Sequence, residues 1–117
     1  MKRNRPQRNN NPLNIRYVKQ PEATGPDKDG YAIFPTPEAG WRAAHAQIRL
    51  DANRGLTLRE FVYKFAPSSE NDTIAYLDFI ESSIVAGPHM LLNDISPYAI
   101  AGVMAQMEGY YAIDKPK

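Results

Sequence analysis

The residue best placed to do chemistry is Glu108, the one charged side chain between Asp94 and Asp114. It follows a stretch, Pro97 to Met107, that is apolar around nearly the whole circumference of a helix and therefore predicts a buried helix. A carboxylate at the C-terminal end of such a helix meets the negative end of the helix dipole and a low-dielectric interior, and both disfavour its ionised form. This position predicts a general acid, and the alternative is the polar end of a helix that faces solvent beside Gly109.

Other candidate residues have structural explanations beside the functional ones. Glu70 and Asp72 stand just ahead of a predicted helix, where capping and the helix dipole already favour acids. Glu38 stands in the first turn of another helix and is explained in the same way. Tyr76 lies one turn into the helix after Asp72, so its hydroxyl can face a cleft or its ring can pack in the core.

Composition excludes several kinds of chemistry. The chain has no cysteine, which excludes disulfides, thiol nucleophiles and zinc-cysteine sites. Its two histidines, His45 and His89, are too far apart to give metal-ligand spacing, and no glycine-rich phosphate loop is present. The sequence therefore predicts an activity that needs neither a metal nor an organic cofactor.

Length and hydropathy predict one domain that does not span a membrane. A chain of 117 residues with 43% hydrophobic content is large enough for a single core and not for two. No apolar run approaches the roughly 20 residues needed to cross a bilayer. The basic start is followed by asparagines instead of a signal-peptide apolar stretch, so we expect no Sec export.

Charge is distributed unevenly along the chain. The first 19 residues carry six Lys or Arg and no acid, whereas residues 65 to 114 carry seven acids and no Lys or Arg. Residues 1–8 are predicted to form a flexible basic arm, which could grip an anionic partner or could simply be solvated. A nucleic-acid binder is disfavoured because no helix-turn-helix or basic surface with interleaved aromatics accompanies the arm.

Periodicity and capping signals predict a mainly α fold of the α+β kind, with four to five helices and one short strand region. The strand region is Tyr31 to Phe34, after a loop from Pro21 to Gly30. Helix starts are indicated at Thr36-Pro37, at the capping box formed by Thr57 and Glu60, near Asn71 and at Ser96-Pro97. The first of these helices should run to about Asn53, and the third should bury Ile74, Leu77 and Ile84.

Four stretches of the chain carry further motifs, in this order: Arg8-Asn9-Asn10-Asn11-Pro12-Leu13-Asn14-Ile15-Arg16-Tyr17, Phe34-Pro35-Thr36-Pro37-Glu38-Ala39-Gly40-Trp41-Arg42-Ala43, Ala66-Pro67-Ser68-Ser69-Glu70-Asn71-Asp72-Thr73 and Met107-Glu108-Gly109. Together they resemble a group of small phage and prophage proteins related to virion-associated lysins. The resemblance runs from Arg8 to about Tyr111. The same elements are similar to those of bacterial cell-wall glucosaminidases in a circularly permuted order, since the glutamate-bearing helix comes last here.

The resemblance implies a lysozyme-like domain over residues 9–117 that acts on the glycan strands of peptidoglycan as a lytic transglycosylase or muramidase. It implies that Glu108 is the catalytic acid and base. The residues it implies for substrate binding are Asn10, Asn11, Asn14, Tyr76 and Glu70. Asparagines of this kind also commonly stabilise turns through their own side chains.

The implied reaction uses one carboxylate, because no second acid is clearly paired with Glu108 by spacing. Glu108 would protonate the glycosidic oxygen and then act as base toward a sugar hydroxyl or water. Such a protein would belong to a phage virion or to the host cytoplasm and act at the bacterial wall, with the basic arm available to other virion proteins. The alternative is a non-catalytic virion structural or adaptor protein with the same fold.

Overall fold

Helices dominate the structure, a computed structural model that describes residues 3–67 and 72–113. The helices of this part are α1 (Arg5–Arg8), α2 (Pro37–Asn53), α3 (Leu58–Phe65), α4 (Thr73–Ser83) and α5 (Pro97–Met107), with a 3-10 turn at Leu92–Asp94. Two short strands, β1 (Gly25–Pro26) and β2 (Ala32–Ile33), pair antiparallel with Gly25 opposite Ile33. The prediction of a mainly α fold with one small strand region is confirmed.

The chain divides into two compact units. The first unit contains Met1–His45 and Met104–Lys117, and the second contains Ala46–Val103, so that both boundaries fall inside helices α2 and α5. The expectation of one lysozyme-like domain over residues 9–117 stays a prediction. No helix in the described residues is both long enough and apolar enough to cross a membrane.

Helix α2 begins and ends where its sequence signals place it. Thr36 caps it, since the Ala39 amide donates to the Thr36 hydroxyl at 3.2 Å, and Pro37 is its first residue. Its last residue is Asn53, and Gly55 follows with a φ of 79°, a left-handed conformation that suits glycine at the end of a helix.

The second unit is built on α3 and α4. Thr57 and Glu60 form the predicted capping box at the start of α3, and the ring of Phe65 at its other end lies 6.3 Å from that of Tyr76 on α4. An isolated bridge pairs Thr57 with Leu91. The buried hydrophobic residues of this unit are Ile48, Leu58, Phe61, Val62, Ala66, Tyr76, Leu77, Ile80, Leu92, Ile100, Ala101 and Val103.

Helix α4 is turned differently from the expected orientation. Ile74, predicted to face inward, is 65% exposed, whereas Thr73 is buried and donates its hydroxyl hydrogen bond to the Ala66 carbonyl oxygen. Because Thr73 is fixed inward, residues 76, 77 and 80 follow it at helical spacing into the core. Ile74, about 100° further round, faces solvent, which the apolar pattern alone does not reveal.

The N-terminal segment is ordered from Asn4, in contrast to the predicted flexible arm over residues 1–8. Asn4 and Gln7 form a capping box at the start of α1, and Pro6 of that helix is buried. The Arg5 guanidinium lies 3.0 Å from the Asp29 carboxylate. The basic residues alone predicted an arm, but the Asn4 cap and the ion pairs of Arg5 with Asp27 and Asp29 hold this segment in place. The first two residues lie outside the described part.

The first unit also requires a close approach between two backbones. A Cβ atom on Gly40 of α2 would lie 1.8 Å from the Asn10 carbonyl oxygen, so no larger residue fits there without moving the chain. Asn10 itself has a φ of 50°. The buried hydrophobic residues of this unit are Leu13, Ile15, Ala32, Phe34, Ala39, Ala44, Met104 and Ala105.

Candidate active site

Glu108 lies directly after α5, at the negative end of that helix. Its amide donates to the Met104 carbonyl oxygen at 2.9 Å, so it still follows the helical path, and its side chain is half-buried. Helix α5 has no basic residue in its last turn. The helix is buried through its middle, whereas Gln106 and Met107 at its end are exposed. The position predicted for the carboxylate is therefore the one observed.

The turn that follows Glu108 is held by the other end of the chain. Gly109 has a φ of 85°, and Asn4 donates from its side-chain amide to the Gly109 carbonyl oxygen at 2.7 Å. Gln7 donates from its side chain to the carbonyl oxygens of Tyr110 and Ala112 at 3.0 and 2.7 Å. Two amide side chains of the N-terminal segment thus fix the backbone immediately beside the candidate acid.

Asn11, predicted to bind substrate, is a structural residue instead. It is 1% exposed, and its side-chain amide donates to the carbonyl oxygens of Ile15 and Ala32, both at 2.9 Å. Its side-chain oxygen accepts from the Ile15 amide at 3.0 Å. Both donors are used and the group is closed to solvent, so Asn11 organises the turn and offers nothing to a sugar.

Asn10 and Asn14, the other two predicted asparagines, are half-buried. The Asn10 side-chain amide donates to the Phe34 carbonyl oxygen at 3.0 Å, which ties the turn to the segment between β2 and α2. The Asn14 side-chain oxygen is buried and has no hydrogen-bond partner within the described residues, and its φ is 52°. Both residues adopt the left-handed conformation that asparagine tolerates, which is a structural reason for their type.

Tyr76 and Glu70 complete the predicted set. Tyr76 is 4% exposed and packs within the core of the second unit, so its ring cannot receive a ligand that approaches from solvent. The even choice between cleft and core is settled by burial in favour of the core. Glu70 lies outside the described residues. Among the predicted site residues in the described part, Glu108 therefore remains the candidate for catalysis.

A cluster of aromatic rings next to Glu108 is a feature that the sequence reasoning missed. The Trp41 ring lies 5.6 Å from the Tyr110 ring and 6.5 Å from the Tyr111 ring, and Tyr110 and Tyr111 are 5.2 Å apart. His45 stacks on Trp41 at 6.0 Å. We call Trp41, Tyr110 and Tyr111 the aromatic cluster. The signal that could have found it is the Tyr110-Tyr111 pair directly after Glu108-Gly109.

The surroundings of Tyr110 keep its hydroxyl protonated. Burial is the main cause that raises the pKa of this hydroxyl above its usual value, and Tyr111 and the Glu38 carboxylate add to the effect. Tyr110 is thus a hydrogen-bond donor at neutral pH. The influence of Glu38 also shows that a second carboxylate, one explained from the sequence by its helix position, lies near the aromatic cluster.

The second unit holds a buried carboxylate of a different kind. Asp51 is 1% exposed, and the Lys64 ammonium and the Arg54 guanidinium lie 2.6 and 3.3 Å from its Oδ1 atom. Gln47 donates to its Oδ2 atom at 3.1 Å. Two cations and an amide compensate the charge fully, so Asp51 links α2 to α3 instead of reacting.

A cleft of about 290 Å³ also lies in the second unit. Its lining residues are Ile48, Arg49, Ala52, Asn53, Leu92, Asn93, Ile95 and Pro97. None of the predicted site residues lines this cleft. Elsewhere, no group of three or more His, Asp and Glu side chains within residues 3–67 and 72–113 is arranged to hold a metal ion.

Comparison with known proteins finds a relative among phage proteins. The chain is 32% identical over 112 residues to Protein P5 of Pseudoalteromonas phage PM2, and the match covers 86% of this chain and 68% of that protein. No protein-family model matches the chain. The relative is a phage protein, which agrees with the phage part of the resemblance noted in the sequence.

Proposed function

The chain belongs to the family of Protein P5 of phage PM2, and from this premise we propose that it cleaves the glycan strands of peptidoglycan with Glu108 as general acid and base. The observation that carries the proposal is the location of Glu108, half-buried at the C-terminal end of an apolar helix whose last turn has no basic residue. A carboxyl at the negative end of a helix dipole is placed as an acid catalyst requires.

The backbone directly after Glu108 is held in place by hydrogen bonds. Asn4 and Gln7 hold the carbonyl oxygens of the turn after Glu108, so the backbone that carries the carboxyl cannot drift. A catalytic group gains most from a support of this kind, because small misplacements of a reacting group cost rate. The phage relative supports a phage setting, in which wall cleavage serves entry or release.

The proposed reaction needs one carboxyl group. Protonated Glu108 donates its proton to the glycosidic oxygen between N-acetylmuramic acid and N-acetylglucosamine, and the bond from the anomeric carbon to that oxygen breaks. The substrate's own acetamido group stabilises the oxocarbenium-like centre. The Glu108 carboxylate then takes a proton from the muramic acid 6-hydroxyl, which gives an anhydro product, or from water, which gives a reducing product.

The test is turbidity loss of purified peptidoglycan with the wild-type protein and with Glu108→Gln. Glutamine keeps the size of the side chain but cannot transfer the proton, so the rate should fall by about 100-fold to 10,000-fold. Asp78→Asn is the matched control, because Asp78 is an exposed carboxylate on α4, and its rate should equal wild type. Mass spectrometry of the released fragments separates the anhydro product from the reducing one.

Two results reject the proposal. Equal rates for wild type and Glu108→Gln remove Glu108 from the chemistry. No cleavage by the wild-type protein on peptidoglycan from several hosts supports the alternative, a non-catalytic phage structural or adaptor protein. Under that alternative, exposed basic residues of the N-terminal segment such as Arg3 and Arg8 are the natural contacts for an anionic neighbour.

A further inference from the structure

We propose that the aromatic cluster is a binding surface for a neutral acetamido-sugar ring of a glycan strand, placed so that the neighbouring glycosidic bond lies at Glu108. The inference rests on the proposed function for the role of Glu108 and deepens it by naming the residues that hold the substrate. The aromatic cluster is open to solvent, since Tyr111 is 55% exposed and Trp41 and Tyr110 are half-buried. Rings that only fill a core would be covered.

The backbone holds the rings of the aromatic cluster in place. Trp41 is carried by α2, whose first turn is seated on the N-terminal segment by the close approach of Gly40 to the Asn10 carbonyl oxygen. The Tyr110 amide donates to the Ala105 carbonyl oxygen at 3.0 Å, and Gln7 holds the Tyr110 carbonyl oxygen. Aromatic side chains have few rotatable bonds, so a ligand that stacks on them orders little of the protein.

The chemistry of the aromatic cluster matches that of a sugar ring. A pyranose ring has an apolar face of C–H groups and an edge of hydroxyl groups, and aromatic rings beside polar groups suit ligands that are apolar on one side and polar at the edge. The Tyr110 hydroxyl supplies a donor, and the nearby Glu38 carboxylate supplies an acceptor for sugar hydroxyls.

The charged side chains near the aromatic cluster favour a sugar over a nucleic acid as the ligand. The Glu38 carboxylate lies near Tyr110 of the aromatic cluster, and Arg42, one residue from Trp41, donates to Glu22 through two hydrogen bonds at 2.7 and 2.6 Å. Phosphate groups need uncompensated cations, whereas the charged group shown beside Tyr110 is the Glu38 carboxylate. A neutral ring has no such need.

Proximity connects the surface to the chemistry. Tyr110 stands two residues after Glu108, so their Cα atoms are at most about 7 Å apart by chain geometry alone. A sugar ring stacked on the aromatic cluster therefore places the next glycosidic linkage within reach of the turn that carries Glu108.

The experiment uses the single tryptophan of the chain, Trp41, as a reporter inside the proposed site. Tetra-N-acetylchitotetraose is titrated into the full chain carrying Glu108→Gln, so that binding occurs without turnover. We expect a saturable change in tryptophan fluorescence. Adding Tyr111→Ala should weaken binding about tenfold, because one stacked aromatic contact is lost. Adding Tyr111→Phe, which keeps the ring, should preserve binding.

The matched control is Tyr98→Ala in the same background, because Tyr98 of the second unit is similarly exposed at 60% and should not affect the titration. Circular dichroism checks that each variant is folded. Three outcomes overturn the inference: no saturable signal from the tetrasaccharide, equal affinity for Tyr111→Ala and its parent, or salt-sensitive binding of a single-stranded DNA oligonucleotide in place of the sugar.

The two proposals fail separately. If the tetrasaccharide binds through Tyr111 but wild type and Glu108→Gln degrade peptidoglycan at equal rates, the binding surface stands and the role of Glu108 falls. If Glu108→Gln abolishes cleavage while Tyr111→Ala leaves both binding and the KM for peptidoglycan unchanged, the role of Glu108 stands and the binding surface falls.

Discussion

The region around Asp51 and the region around Glu108 use polar side chains in opposite ways. Asp51 is matched by Gln47, Arg54 and Lys64, all within 13 residues of it along the chain, and its charge is compensated. Beside Glu108, the fixing contacts come from residues 103 to 105 positions away and end on backbone oxygens. The first arrangement stabilises a charge, whereas the second positions a peptide segment.

The difference teaches that burial alone does not identify a catalytic acid. Asp51 is the more buried carboxylate, but it is paired with Lys64 and Arg54 in a structural role. Glu108 is less buried and lies in a rigid turn next to aromatic rings, which is the setting of a reacting group. Four measurements can break or sharpen this comparison.

The largest effect is expected at Gly40, where the first unit depends on one backbone contact. Gly40→Ala would place a methyl group 1.8 Å from the Asn10 carbonyl oxygen, so the free energy of unfolding should fall by about 4 kcal/mol or more. Gly102→Ala is the matched control, because its new Cβ meets nothing within 4 Å on α5 and should stabilise by about 0.5 to 1 kcal/mol. Urea unfolding measures both, and similar effects at the two positions would refute the contrast.

Asp51→Asn tests the compensated carboxylate. Asparagine loses the charge-assisted bonds to Lys64 and Arg54, and because those cations still reach water the expected loss is about 2 to 3 kcal/mol of unfolding free energy. Glu108→Gln should change stability by less than about 0.5 kcal/mol or raise it, as expected for a site that sacrifices stability for function. An equal loss for both variants in urea unfolding would make Glu108 structural too.

Asn11→Ala separates a structural asparagine from a ligand-binding one. It removes the partner of the buried Ile15 amide and the side-chain donors to the carbonyl oxygens of Ile15 and Ala32, of which the Ile15 oxygen keeps the Ala32 amide, so unfolding free energy should fall by about 2 kcal/mol. Asn53→Ala, at an exposed position that ends α2, should cost less than about 0.5 kcal/mol. A stable Asn11→Ala protein with weakened tetrasaccharide binding would restore the original substrate-binding prediction.

The smallest effect concerns Asp27, which ties the N-terminal segment of the first unit to its strands. Burial acts to raise the pKa of this carboxyl, but hydrogen bonds from the Tyr31 amide, the Asn9 side chain and the Asp29 amide, with the Arg5 charge, lower it overall. A lowered folded pKa gives stability that is present above the ordinary aspartate pKa and is lost as pH falls below about 4. Asp27→Asn should flatten this acid loss in thermal melts, whereas Asp78→Asn should not.

The sequence predicted those parts of the fold whose signals are local. The bounds of α2, the capping box at Thr57 and the place of Glu108 after α5 all follow from residues within one or two helical turns. The ordered N-terminal segment, the inward turn of Thr73 and the use of Asn11 were not predictable in this way. Each depends on a partner distant in sequence or on a choice between two faces of a helix, which periodicity leaves open.

The same limit applies to the candidate site. Glu108 could be predicted because an acid at the C-terminal end of a helix is unusual, and the eleven residues before it are enough to predict that helix. The aromatic cluster could not be predicted in this way, because it joins Trp41 to Tyr110 and Tyr111, which lie far apart in the sequence. Tyr76 had the right residue type for a cleft, and only its burial in the second unit shows that it packs with Phe65.

The bonds from Asn4 and Gln7 to the turn at residues 109–112 have a consequence for synthesis. The first unit cannot close until that turn has left the ribosome, although Asn4 and Gln7 emerge about a hundred residues earlier. The fold of this unit therefore depends on contacts of very long sequence separation, which form slowly. A nascent chain whose residues 109–112 are still inside the ribosome carries no assembled acid site, so any cleaving power would appear only after that turn has emerged.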